Sequence, residues 1–146
     1  MDATPGSTPP VIEVVAAVVV GPDGRALLVR KRGTHAFMNP GGKPEAGESH
    51  RDALVRELAE EIGLLVEPTA LEPLGTFETD AANEPGHLLV AHAFLLDLGS
   101  GDHVVAAEIE ESRWVDPGDP GDLVLAPLAA EFLLPLVVER RVRTRR

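Results

Sequence analysis

The stretch VIEVVAAVVV at 11–20 is almost unbroken in β-branched and small apolar residues, with Glu13 its only charge. A strand with one wet face alternates apolar and polar residues. A run this continuous predicts a strand covered on both faces, and therefore a sheet with a layer on either side. GPDG at 21–24 is a turn, and RALLVRKR at 25–32 reads as a second strand that returns as a hairpin. ALEPLGTFETD (70–80), HLLVAHAFLLDL (87–98) and a short stretch ending at Arg113, Trp114 and Val115 read as further strands. Two helical segments complete the pattern. The first begins near His50, where Ser49 followed by Asp52 makes a capping pattern, and ends at Gly63. The second, apolar, spans 126–138, with Pro127 tolerated in its first turn and Pro135 expected to kink or shorten it. The order β-β-α-β-β-β-α predicts an α/β domain: a mixed sheet flanked by helices.

With 146 residues, 44% of them hydrophobic, the chain is long and apolar enough to fold around one core without covalent staples. It has no cysteine, which excludes disulfides, thiolate metal sites and cysteine nucleophiles and fits a reducing, cytoplasmic setting. Residues 1–10 read as a flexible leader, 11–139 as the folded domain and 140–146, RRVRTRR, as a basic tail. The apolar runs are too short or too interrupted to span a bilayer, so no membrane partner is expected. The net charge is −11, and five of the thirteen basic residues lie in the tail. The remaining body carries eight basic against 24 acidic groups and repels a phosphate backbone, so nucleic acid is not the expected partner. If such a body handles anionic phosphates, a divalent cation must screen its charge.

The first helix shows where that cation belongs. At 100° per residue, Glu57, Glu60 and Glu61 fall within an arc of roughly 100°, while Leu54, Leu58 and Ile62 form a separate stripe able to pack on the sheet. Like charges at this spacing cost an isolated helix a few tenths of a kcal/mol each, so the arrangement calls for a partner. Mg²⁺ or Mn²⁺, hard ions that take oxygen ligands and bridge phosphates, are such partners.

Reading forward, Gly42, five residues, Glu48, seven residues and Arg56-Glu57-Leu58-Ala59-Glu60-Glu61-Ile62-Gly63-Leu64 match GX5EX7REUXEEXGU throughout, U being aliphatic. Seven fixed and two aliphatic positions arise by chance in a chain of this length with a probability on the order of 10⁻⁷. This is the Nudix box, and over these 23 residues the chain closely resembles the Nudix hydrolases. The resemblance implies an α/β/α sandwich and Mg²⁺-dependent hydrolysis of a nucleoside diphosphate linked to another moiety, water being the nucleophile at phosphorus. It implies Glu60 and Glu61 as principal metal ligands and Glu57 as ligand or general base, the family differing on which residue takes the base role. Arg56 resembles the arginine that holds a glutamate in place. Glu48 is similar to the outlying box glutamate, Gly42 to the glycine of the tight loop, and Gly41 to a carbonyl donor for metal. An acidic residue from a later loop often joins the set in this family; Glu108, Glu110 and Glu111 are the candidates, with Glu111 preferred because it opens the strand bearing Trp114.

Substrate contacts are read less directly. Arg30, Lys31 and Arg32 end the second strand beside the glycine loop and are candidates to hold phosphates. Phe37 is the preferred aromatic platform for a base, Lys43 completes the PGGK sequence, and Asn39 stands where the family often has an aliphatic or aromatic residue. The short, MutT-like layout favours a nucleoside tri- or diphosphate; ADP-ribose or another nucleotide sugar is the alternative, and a non-catalytic nucleotide sensor a third reading. The family resemblance also admits a homodimer. His35, His87, His92 and His103 show no paired ligand spacing and are assigned surface or sheet roles, His50 a place at the helix N-terminus.

Overall fold

The computed structural model describes residues 9–81, 84–99 and 102–144. The first eight residues of the expected leader, and Arg145 and Arg146 of the tail, lie outside them. Six strands form one sheet: β1 (Val11–Val20), β2 (Ala26–Lys31), β3 (Gly41–Gly42), β4 (Glu72–Asp80), β5 (Leu88–Asp97) and β6 (Ile109–Val115). Their order is β4-β5-β1-β2-β6, with β3 paired to β1 alone. The sheet is mixed because β1 runs parallel to β5, in register from Val11↔Leu88 to Val20↔Asp97, while the other pairings are antiparallel.

The continuous apolar character of β1 is explained by what covers it. Val15, Ala17 and Val19 are buried against Leu54, Leu58 and Ile62 of helix α1 (His50–Ile62), the stripe read from the sequence. Ala16 and Val18 face the other way, onto Leu128, Leu133 and Val137. Both faces of the strand are therefore dry, and alternation has nothing to separate.

The second helical layer departs from expectation. Residues Leu128–Leu133 form a π-helical stretch that hands over to helix α2 (Leu134–Thr144). Pro135 has no N–H for the carbonyl one turn back. The widened turn, in which Leu134 N–H bonds Ala129 O, ends at the residue before it, and α2 then restarts with Pro135 in its first turn, where the missing donor costs nothing. The proline thus shifts the helix instead of shortening it. The helix continues to Thr144, through most of the segment read as a tail, and Arg140 pairs with Glu72 at 2.9 Å. No helix among the described residues is long and apolar enough to cross a membrane.

Candidate active site

The box is assembled by a glycine pair threaded along β1. Gly41 and Gly42 pair with Ala16 and Val15, and Ala17 N–H donates to Pro40 O at 2.8 Å, so the loop after β2 is fastened to the central strand. Gly41 has a φ of 155°, and a Cβ there would collide with the Val15 carbonyl and the Ala16 Cα, both backbone. Gly42 is pressed against the Glu57 carboxylate, in the space a Cβ would fill. Each glycine is thus required by a close approach. Helix α1 is fixed at both ends as its sequence implies: Ser49 Oγ accepts from Asp52 N–H at 3.1 Å, and Gly63 closes it with φ 66°.

On this frame the box acids occupy unequal environments. Glu61 is buried, 3% exposed, and Gly41 N–H donates to its Oε1 at 3.1 Å. Burial pushes its carboxyl up to about 7, partly offset by that hydrogen bond and reinforced by the Glu57 charge. Glu57 is also raised by burial, against the pull of Arg56. Glu60 is the outermost, its side chain half exposed, with Arg56 Nη1 3.6 Å away. Arg56 is the hub: Nε and Nη2 grip both oxygens of Glu48 at 2.8 and 2.9 Å, Nη1 donates to Glu57 at 3.0 Å, and Nη2 also reaches the Lys43 carbonyl at 3.1 Å. The guanidinium, first, and the Glu45 N–H hold Glu48 down at about 2. Glu48 is therefore joined to the other box acids through Arg56.

A cleft of about 500 Å³ opens beside these groups. It lies where Val11–Val14 of β1 pair with β5 on one side and, among the described residues, with no strand on the other. Gly41, Gly42, Lys43, Arg56 and Glu57 line one end; Asp80, Ala81, Glu84, Leu89 and Ala126–Ala129 close the other, contributed by segments that show no motif. Asn39, 6% exposed, lines it too, and neither its amide nitrogen nor its oxygen has a hydrogen-bond partner among the described residues.

Several sequence candidates fall elsewhere. Phe37 is a core residue, 5% exposed, hydrogen-bonded through its backbone to Val124 and Ala126, with Arg30 and Arg113 at 5.9 and 5.8 Å from its ring centre. Arg30 is tied to Glu111 and to the Thr34 carbonyl, and Arg32 to Glu110 at the surface. Glu111 is held by Arg30 and Arg113, which keep its carboxyl below the usual range, and it does not line the cleft. Of the three late acids, Glu108 is the one that lines it, paired with Lys31 at 3.5 Å and raising Glu61 by its charge. Of the three basic residues 30–32, Lys31 is the one that lines the cleft, between two arginines tied elsewhere. Strand alternation carries the signal for this, since Leu27 and Val29 already pack on the α1 side.

Known proteins resemble this chain in sequence and in fold. The NUDIX domain family model matches residues 11–135. A CTP pyrophosphohydrolase of Escherichia coli is 33% identical over 138 residues, 90% of this chain and 96% of that protein. An ADP-ribose pyrophosphatase of Methanocaldococcus jannaschii is 29% identical over 67% of this chain and 58% of that protein. Among solved structures, the solution structure of the E. coli ORF135 protein superposes with a TM-score of 0.71 at 30% identity, covering 92% of this chain and 93% of that one.

Proposed function

The chain belongs to the Nudix hydrolase family, and on that premise we propose that it cleaves the pyrophosphate bond of a nucleoside tri- or diphosphate with Mg²⁺, or Mn²⁺, as cofactor. The observation that carries the reading is the pair Glu57 and Glu61: two acids with raised protonation equilibria, side by side under a glycine loop, with one arginine and one N–H for compensation. Glu57, Glu60, Glu61 and the Gly41 carbonyl are an all-oxygen donor set that fits a hard divalent ion. When bound, that ion supplies neutralisation of phosphate charge and a more acidic water.

The chain's own groups supply position. Arg56, locked by Glu48, holds Glu57 against Gly42, where that carboxylate is placed to act as ligand or to take the proton of the attacking water. Lys31 and Lys43 offer cations to the phosphates at the box end of the cleft, and Glu108 completes the acidic set. Asn39 addresses the polar edge of the nucleoside portion. The aliphatic wall of Ile12, Val14, Leu89 and Leu128 takes its flat face, since no aromatic ring lines the cleft among the described residues.

ADP-ribose is the second reading, favoured by the M. jannaschii relative. All four box glutamates are kept, which weighs against a non-catalytic sensor. A panel of deoxynucleoside and nucleoside triphosphates, diphosphates, ADP-ribose, dinucleoside polyphosphates and sugar nucleotides, assayed with and without Mg²⁺, tests the proposal. Metal-dependent release of a nucleoside monophosphate from a tri- or diphosphate is expected; preference for ADP-ribose selects the second reading. No metal-dependent turnover of any member removes the first.

A further inference from the structure

A second cluster of titratable side chains stands apart from the box. Parallel pairing sets Glu13 opposite Val90 and Val15 opposite His92, so Glu13 of β1 and His92 of β5 share the sheet face that α1 covers. The start of α1 brings His50 onto the same spot, its ring stacked on that of His92 with centroids 3.8 Å apart and planes 18° from parallel. His92 Nε2 lies 3.0 Å from Glu13 Oε2, and one ligand atom from each of the three residues falls within 4.8 Å of the other two. We propose that Glu13, His50 and His92 form a metal site of their own, for a borderline transition ion of the Zn²⁺ class, which pins the start of α1 to the sheet.

The donor set argues for that class. Two imidazoles and one carboxylate leaving an open position suit Zn²⁺, Co²⁺ or Ni²⁺, whereas the box offers only oxygen and suits Mg²⁺ or Mn²⁺. Bonds of about 2.1 Å in tetrahedral geometry set ligand atoms about 3.4 Å apart, so the three side chains must draw in by about an ångström around an ion. The two stacked imidazoles must therefore open, one ring turning out of the stack so that both lone pairs meet the ion, which replaces the contact between His92 and Glu13. Thr76 Oγ1, 3.1 Å from His92 Nδ1 across the β4–β5 pairing, supplies the outer hydrogen bond that ligating histidines make. A proton on Nδ1 donated to Thr76 Oγ1 would leave the Nε2 lone pair for an ion beside Glu13. Among the described residues the ring nitrogens of His50 have no hydrogen-bond partner, so it is free to ligate.

The cation nearest in sequence does not occupy the site. Arg51 Nε donates to the Leu71 carbonyl at 3.3 Å, and its guanidinium lies 5.4 Å from the centre of the Phe94 ring. A hollow of about 390 Å³ beside His50, Thr76 and His92 leaves access for the ion and its water. Ile12, Val14 and Ala16, which alternate with Glu13 and Val15 on β1, line the catalytic cleft, so the cluster lies across the sheet from most of it.

Zn²⁺ titration by calorimetry, in excess Mg²⁺ to fill the box, tests the assignment, with Co²⁺ absorption as an independent report on nitrogen ligation. One equivalent of Zn²⁺ is expected to bind and to raise the Tm. His92→Ala should abolish it, and His50→Ala and Glu13→Gln should each weaken it by about tenfold or more. Glu61→Gln should leave it intact. His50 and Glu13 keep the test decisive should His92→Ala fail to fold. Absence of stoichiometric Zn²⁺, binding unchanged in the His50→Ala and Glu13→Gln proteins, or binding lost in Glu61→Gln but kept in His92→Ala, would each overturn it.

Discussion

Asn39, buried without partners among the described residues, and Gly42, pressed against Glu57, each allow the proposed function to be tested at a single residue. A buried carboxamide without partners costs about 1–3 kcal/mol in desolvation, and Asn39 has neither a donor nor an acceptor partner among the described residues. If the substrate supplies those partners, Asn39→Leu should raise the Tm by a few degrees while raising KM about tenfold, with kcat little changed. Thermal melting and steady-state kinetics on one preparation check both halves, and a higher Tm with unchanged KM would make Asn39 a packing residue only. Gly42→Ala works in the opposite sense. The new methyl displaces the Glu57 carboxylate, the end of a flexible side chain, so the fold should survive while kcat falls by about two orders of magnitude, the scale on which small misplacements cost rate. The sequence showed Asn39 to be unusual, yet not that it is orphaned, because orphaning depends on Val29, Leu125 and their neighbours closing around the loop.

At the scale of elements, what local chemistry encodes was legible and what distant pairing decides was not. The ends of α1 follow from Ser49 and Gly63, each acting within one turn of itself. Ser49→Ala should therefore cost about 1 kcal/mol, a few degrees in Tm for a domain of this size, with kcat retained; circular dichroism melts and activity measured together check that separation. Arg56→Lys should do the reverse, since a lysine keeps the charge but cannot grip both Glu48 oxygens while reaching Glu57. A fall in kcat of tenfold or more with a smaller change in Tm is expected. By contrast β3 is two glycines, which carry no side-chain alternation, and it exists because β1 has an open edge beside it. The sequence favours Glu111 over Glu108, because Glu111 opens the strand bearing Trp114. Only the register of β6 on β2 sets Glu111 against Arg30, on the side away from Lys31, with the irregularity between Arg30 and Lys31 separating the two acids. His50 and His92 are 42 positions apart and meet only because a parallel strand and a helix end converge.

At the scale of the whole molecule, Glu61 ties stability to proton uptake. An acid whose folded value is raised from 4.5 to about 7 holds its proton in the folded chain after the unfolded chain has lost it. Across that interval the folded state binds more protons, so metal-free stability falls as pH rises from about 4.5 to about 7, by about 3 kcal/mol at roughly 1.4 kcal/mol per unit. Glu57 is shifted in the same direction and adds to the fall. Glu48, held at about 2, works the other way: its contribution is complete above about 4.5 and is lost as pH drops toward 2. Stability without metal should therefore peak near pH 5. General self-repulsion of an acidic chain also grows with pH, so the decisive comparison is with Glu61→Gln, which leaves the rest of the charge in place. Denaturant unfolding at pH 5 to 8 in a chelator should show the wild type losing stability steeply and the variant much less, so that above pH 7 the variant is the more stable protein. Saturating Mg²⁺ should reverse that order, because an ion that binds only the folded, deprotonated carboxylates stabilises the wild type more than a variant that has lost one of them. Parallel pH profiles for the two proteins would mean that Glu61 is ionised as easily in the fold as in water, and that the cost which makes a metal ion necessary is not there.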